Sequence, residues 1–196
     1  MGLPARRLAF EELREWLRAT IAQARRPLLG SGIPNLDGML GGGFPRGALA
    51  TLEGTAGRWA IVARLLAQAT RRGLAAVVDG GELYPPDLAA AGVLLERLIV
   101  VSAAAPLAVA RAADVLLRSR ACTVVALTAP PLQSMLWVRL AGLAYKCGTL
   151  LLVVTEHPPP QLVIVAGLRL RCERVGPGYD MRVDARHESV RIACSR

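Results

Sequence analysis

Residues 30–54 read GSGIPNLDGMLGGGFPRGALATLEG, and Thr55-Ala56-Gly57-Arg58-Trp59-Ala60 follow. A turn at Gly32 and Pro34 leads into a short helix carrying Leu36, Met39 and Leu40. Gly41-Gly42-Gly43 breaks that helix, Phe44-Pro45-Arg46-Gly47 turns the chain, and an apolar strand runs up to Gly54. A strand that ends in a glycine loop and opens a helix is the setting of a phosphate-binding loop, G-x-x-x-x-G-K-[ST]. There the backbone N–H groups cradle phosphate, the Lys reaches the outer phosphates and the hydroxyl holds Mg²⁺. Gly54 and Gly57 stand about two residues too close for that pattern. Arg58 occupies the place of the Lys, and bulky Trp59 the place of the hydroxyl. The sequence predicts a nucleotide-binding frame whose catalysis is lost, with Trp59 filling the vacated pocket.

Beyond this loop the chain alternates strand and helix patterns. Strands are expected at Leu49–Leu52, Ala75–Val78, Leu98–Val101, Thr123–Leu127 and Leu150–Val154. Helices are expected at Trp59–Arg72, from Pro86 to Ala91, and at Leu107–Arg118 and Leu132–Cys147. The first long helix carries Ile61, Val62, Leu65, Leu66 and Ala69 on one stripe. Thr123–Leu127 and Leu150–Val154 are apolar throughout, as central parallel strands covered on both faces must be. Repeated βα units predict an α/β fold with a mostly parallel central sheet and helices on both faces. The tail alternates more, around a Gly176-Pro177-Gly178 turn, and residues 162–194 read as an antiparallel meander at one sheet edge. Ahead of the core, residues 8–26 form an amphipathic pattern with Leu13, Trp16, Leu17 and Ile21 on one side, stopped by Pro27. The expected division is an N-terminal helix or arm over 1–28 and a core domain over 29–196.

Composition narrows the setting. The chain has 196 residues, enough for one domain with a real core, and 53% of them are hydrophobic against 4% aromatic. Leu, Val and Ala must therefore fill the interior. A net charge of +9 favours an acidic partner, either nucleic acid or an acidic protein surface. Cys122, Cys147, Cys172 and Cys194 are widely spaced and, with His157 and His187, form no metal-ligand pattern, so neither metal nor cofactor is expected. Glu11, Glu12 and Arg14 interrupt any signal-peptide pattern, and no apolar run is long enough to cross a membrane. A reduced, cytoplasmic setting is the expectation.

The order of these motifs resembles the RecA/KaiC-like superfamily of ATPase cores. Ser31-Gly32-Ile33-Pro34-Asn35-Leu36-Asp37, continuing through Gly41-Gly42-Gly43-Phe44-Pro45-Arg46-Gly47, is similar to that family's approach to its phosphate loop. Val77-Val78-Asp79-Gly80-Gly81-Glu82 resembles the segment after its second core strand, with Gly81 in the slot of the catalytic Glu and Glu82 one place late. Residues 166–174 resemble its late arginine-bearing strand. The departures fall on the parts that serve ATP. The strand Thr123–Leu127 leads to Thr128-Ala129-Pro130-Pro131 where a metal-binding carboxylate is expected, and Leu151–Val154 leads to Thr155-Glu156-His157 in place of a polar γ-phosphate sensor. Phosphoryl transfer depends on positioning and charge neutralisation, so losing the Lys, the hydroxyl, the metal carboxylate and the Glu together removes it.

Within the superfamily the chain looks most like the ImuA family of SOS mutagenesis accessory proteins. That resemblance implies a non-enzymatic adaptor in error-prone translesion synthesis. Its implied partners are RecA, an ImuB-type Y-family-like protein and an error-prone DnaE-type polymerase. Leu13, Trp16, Leu17 and Ile21 would then be the partner-binding face. SulA-like cell-division inhibitors that bind FtsZ are the alternative, and a weak ATPase of the RecA/KaiC kind is another. A DNA contact is also expected, through the tail residues Arg169, Arg171, Arg174, Arg182 and Arg186. Arg169 and Arg171 share one strand face, and a basic face of this kind tracks phosphate backbone. The segment Glu156-His157-Pro158-Pro159-Pro160 reads as a proline-stiffened connector, and Asp79, Glu82 and Asp87 as loop and helix-cap residues.

Overall fold

A computed structural model of the chain describes residues 27–81, 83–174, 180–185 and 188–193. The N-terminal residues Leu13, Trp16, Leu17 and Ile21, together with Glu82, the turn at 176–178, Arg186 and Cys194, lie outside the described residues.

The first described elements are two short strands, β1 (Leu28–Leu29) and β2 (Phe44–Pro45), paired antiparallel around helix α1 (Pro34–Met39). Asp37 braces this opening. Its Oδ1 accepts hydrogen bonds from the Ser31 N–H and Oγ, both at 2.7 Å, and its Oδ2 accepts from the Gly32 N–H at 3.2 Å. The motif noted in the sequence is thus a carboxylate closing its own entry turn. Asp37→Ala should lower stability by about 2 kcal/mol, because bonds to an ionised acceptor are lost while Ser31 stays buried. A urea-unfolding midpoint unchanged by that substitution would contradict this role.

From β3 (Leu49–Glu53) the chain enters the central sheet. Helix α2 (Arg58–Arg72), β4 (Leu74–Asp79), helix α3 (Pro85–Ala90) and β5 (Leu98–Ser102) follow. Helix α4 (Pro106–Ser119), β6 (Cys122–Thr128), helix α5 (Ser134–Cys147) and β7 (Leu150–Thr155) complete the alternating part. Pro34, Pro85, Pro106 and Pro160 all stand at helix starts, where a residue without an N–H loses nothing. The strand order is β5-β4-β6-β7-β3-β8-β9-β10, where β8 is Leu168–Arg174, β9 Asp180–Ala185 and β10 Glu188–Ala193. All pairings from β5 to β8 are parallel, and β8-β9-β10 are antiparallel.

Strand alternation divides the core in two. Ala50, Leu52, Leu152, Val154 and Leu170 face α2, which buries Ile61, Val62, Leu65 and Leu66 against them. Leu49, Val78, Leu127, Leu151 and Val153 face the other way, under Val109 and Leu117 of α4 and Trp137 of α5. Helices on both faces explain why β7 is buried along its whole length.

The sequence expectation needs correcting in the tail. Residues 160–165 form helix α6 (Pro160–Val165), and the strand starts only at Leu168. Leu162-Val163-Ile164-Val165 is apolar throughout, so periodicity cannot separate helix from strand. Pro160 opens a helical turn, and that turn buries Leu162 under the second helical layer. Strand β8 then runs parallel to β3, so the antiparallel part of the tail begins on its far side.

Candidate functional site

The carboxyl end of β3 sets the position of the phosphate loop. Gly54 has φ +126°, and a Cβ there would stand 1.9 Å from the Cys172 carbonyl oxygen of β8. Only glycine lets the loop leave β3 this close to its neighbour. The Gly54 N–H donates to the Thr155 carbonyl at 3.1 Å, tying the loop to β7 as well. Gly57, at φ +75°, turns the chain into α2, and its carbonyl accepts the first helical bonds from the Ala60 and Ile61 N–H groups.

Arg58 folds back on this loop. Its Nη1 donates to the Gly54 carbonyl at 2.6 Å and its Nη2 to Glu156 Oε1 at 3.1 Å. The Arg58 side chain is only 12% exposed, whereas Glu156 is 55% exposed. A phosphate-binding cation must aim its donors outward into the cradle. These two donors of Arg58 are held by the loop's own carbonyl and by the segment after β7.

Trp59 is half-buried at the start of α2. It packs at the margin of the α2 core and lines a groove of about 520 Å³ with Ala63, Leu83, Tyr84 and Leu88. Residues 54–57 line no part of that groove. The ring thus contributes to packing between α2 and the segment carrying α3.

The other altered positions sit around this loop. Thr128 closes β6 where a metal carboxylate was sought, and its buried Oγ1 has no hydrogen-bond partner among the described residues. Asp79 ends β4, and its Oδ1 accepts the Leu83 N–H at 3.2 Å, which makes it a loop brace. Among the described residues no three His, Cys, Asp or Glu side chains gather as metal ligands. Cys122 and Cys172 are buried, and burial pushes the Cys122 thiol above its ordinary range.

Next to the loop lies a charged cluster that sequence reasoning passed over. Glu53 is 2% exposed at the end of β3. Its Oε1 accepts from Arg169 Nε at 2.9 Å and from Thr51 Oγ1 at 2.9 Å, and its Oε2 accepts from Arg169 Nη2 at 3.0 Å. Arg171 Nη2 lies 3.9 Å from the same Oε2. Parallel pairing of β3 with β8 sets Thr51 opposite Arg169 and Glu53 opposite Arg171. The hydrogen bond to Glu53 raises the Arg169 pKa further, more than desolvation lowers it. The Arg169 fork expected to meet DNA is thus occupied by a buried carboxylate. Arg174 ends β8, and Arg182 of β9 stands at the register position opposite Glu173. A carboxylate closing the strand Leu49-Ala50-Thr51-Leu52-Glu53 was the available signal, since a charge on a buried strand demands a partner.

A profile of the MT3502 N-terminal domain matches residues 38–159, which span the phosphate loop and every strand from β3 to β7. The chain belongs to the MT3502 N-terminal domain family. No curated protein matches it significantly. Among solved structures, the crystal structure of the RadB recombinase is similar with a TM-score of 0.70 at 17% identity, covering 81% of this chain and 89% of that one. This likeness establishes a RecA-like α/β fold for this member of the MT3502 N-terminal domain family. None of the described helices is long and apolar enough to cross a membrane.

Proposed function

We propose that this chain is a non-catalytic RecA-like accessory protein of the SOS DNA-damage response. It acts in error-prone translesion synthesis, in the manner of the ImuA family, by surface recognition of RecA and an ImuB-type partner. The observation that carries the reading is the Arg58 guanidinium bound to its own loop carbonyl and to Glu156. Donors held this way would have to leave both partners before they could meet a phosphate. The missing hydroxyl and metal carboxylate support the same conclusion, since phosphoryl transfer depends on charges placed around the phosphate. Likeness to a recombinase supports a scaffold suited to partner exchange, and the net charge of +9 supports an acidic partner or DNA. Residues 1–26, carrying Leu13, Trp16, Leu17 and Ile21, would form the partner-binding arm.

Two measurements test this. Calorimetric titration with ATP and Mg²⁺ should show no binding heat, and ATP turnover should be absent. ATP turnover that disappears in Arg58→Ala would overturn the non-catalytic assignment. In the second, surface-immobilised full chain should retain RecA or the ImuB-type protein, and Trp16→Glu with Leu17→Glu should weaken capture by about tenfold or more. Capture unchanged by that pair of substitutions would reject the arm.

A further inference from the structure

We propose that the groove between α4 and α5 docks an acidic amphipathic helix of a partner protein. This inference does not rest on the phosphate loop. Helix α4 buries Val109, Ala113 and Leu117 against the sheet, and α5 buries Trp137, Leu140 and Ala144. A helix that packs only inward needs no apolar residues outside that stripe. Yet Leu107 is 50% exposed and Val115 67% exposed on the outer side of α4. Together with Ala110, Leu136 and Leu140 they floor a groove of about 410 Å³ between the two helices. Two adjacent helices leave a valley that a third can enter by packing its ridges into theirs. Such a partner presents apolar anchors at helical spacing, the helix-in-groove mode of recognition.

Charge selects the partner. Arg111 and Arg139 stand on the rim with Asp114. Asp114 is bound by Arg118 at 2.6 Å and by Arg139 at 2.9 Å, so its charge is already answered. Burial acts to raise the Asp114 carboxyl, but the two guanidiniums outweigh it and hold it below the usual carboxylate range. Along the groove itself Arg111 and Arg139 stand with the single carboxylate of Asp114, which Arg118 also binds. The rim keeps a positive surplus, and complementarity calls for carboxylates flanking the partner's apolar stripe. The floor has no aromatic side chain on which a nucleobase could stack, which favours a protein partner over single-stranded nucleic acid. Residues 1–26 carry six arginines against three glutamates, and the whole chain is +9, so neither this segment nor a second copy matches the rim.

A fluorescein-labelled helical peptide tests the assignment, with Leu at helical spacing on one face and Glu on the other. Its anisotropy is followed against the full chain. The acidic peptide should bind, and its Lys-for-Glu counterpart should bind about tenfold more weakly or worse. Val115→Glu and Arg111→Glu each alter an exposed side chain, so an unchanged Tm should accompany a loss of affinity of about tenfold or more. Failure of the acidic peptide to bind, equal affinity for the basic one, or indifference to Val115→Glu would overturn the proposal. So would any sign of another occupant. Displacement of the peptide by oligothymidine would assign the groove to nucleic acid. Tighter peptide binding in Trp16→Glu would assign it to residues 1–26, and a dimer broken by Val115→Glu would assign it to a second copy.

Discussion

Gly54→Ala should cost about 4 kcal/mol or more and leave little folded protein at ordinary temperature. Two effects add. The residue is held at φ +126°, a conformation that costs L side chains roughly 1–3 kcal/mol. The new methyl would also stand 1.9 Å from the Cys172 carbonyl oxygen, and that neighbour is backbone in a paired strand. Relief would require β8 to move away from β3, which breaks the parallel ladder from Ala50 to Glu53 and separates Glu53 from Arg169. Gly142→Ala is the control. It lies within α5, nothing stands within 4 Å of the added Cβ, and the change should stabilise by about 0.5–1 kcal/mol. Urea unfolding followed by circular dichroism separates the two. A Gly54→Ala protein within about 1 kcal/mol of the parent would mean that β8 does not press on the loop.

Arg169→Ala should cost about 3 kcal/mol, more than its surface position suggests. The Arg169 side chain is 43% exposed, but the carboxylate it serves is 3% exposed. Exposed ion pairs contribute little, whereas removing one partner of a buried charge leaves the other without compensation. The contact is a fork, with two guanidinium nitrogens on two carboxylate oxygens at 2.9 and 3.0 Å, and Lys cannot reproduce it. Arg169→Lys should therefore recover only part of the loss. Replacing Glu53 and Arg169 together by Leu should recover more than either single change, because no buried charge is then left alone.

The pH behaviour has a definite sign. Arg169 titrates above its ordinary range in the folded protein, so the stability it confers is complete below that range and is lost only under strongly alkaline conditions. Arg169→Ala should remove that alkaline loss, because no Arg169 guanidinium is left beside Glu53 to give up its proton. A variant as stable as the parent at neutral pH would show that Arg171, 3.9 Å away, takes over the contact.

Much of the architecture was legible in the chain. The glycines and prolines between Gly30 and Gly54 marked the turns, and the apolar runs at 123–127 and 150–154 marked central strands. The helical stripe of Ile61, Val62, Leu65 and Leu66 marked the helix behind the loop. These are local signals: turn chemistry acts over about four residues, and a periodic stripe reports which face meets the core. The altered loop was legible for the same reason, since each missing group has a known place in a short motif.

Other features depended on neighbours distant in the chain. Whether residues 160–165 would coil or extend was decided by the second helical layer that receives Leu162. The sequence places Arg58 where the Lys belongs, but its contact with Glu156 at 3.1 Å depends on where β7 ends. Arg169 and Arg171 read as a free basic face until parallel pairing sets them against Glu53, 116 positions away from Arg169 in the chain. By itself the sequence determined the βα order, the two buried faces and the altered residues of the phosphate loop, because each is encoded within a few consecutive residues. Only the tertiary structure decided which charges are occupied and which apolar side chains remain uncovered, because a side chain's partner is set by strand order and register, and neither is written in the residues it joins.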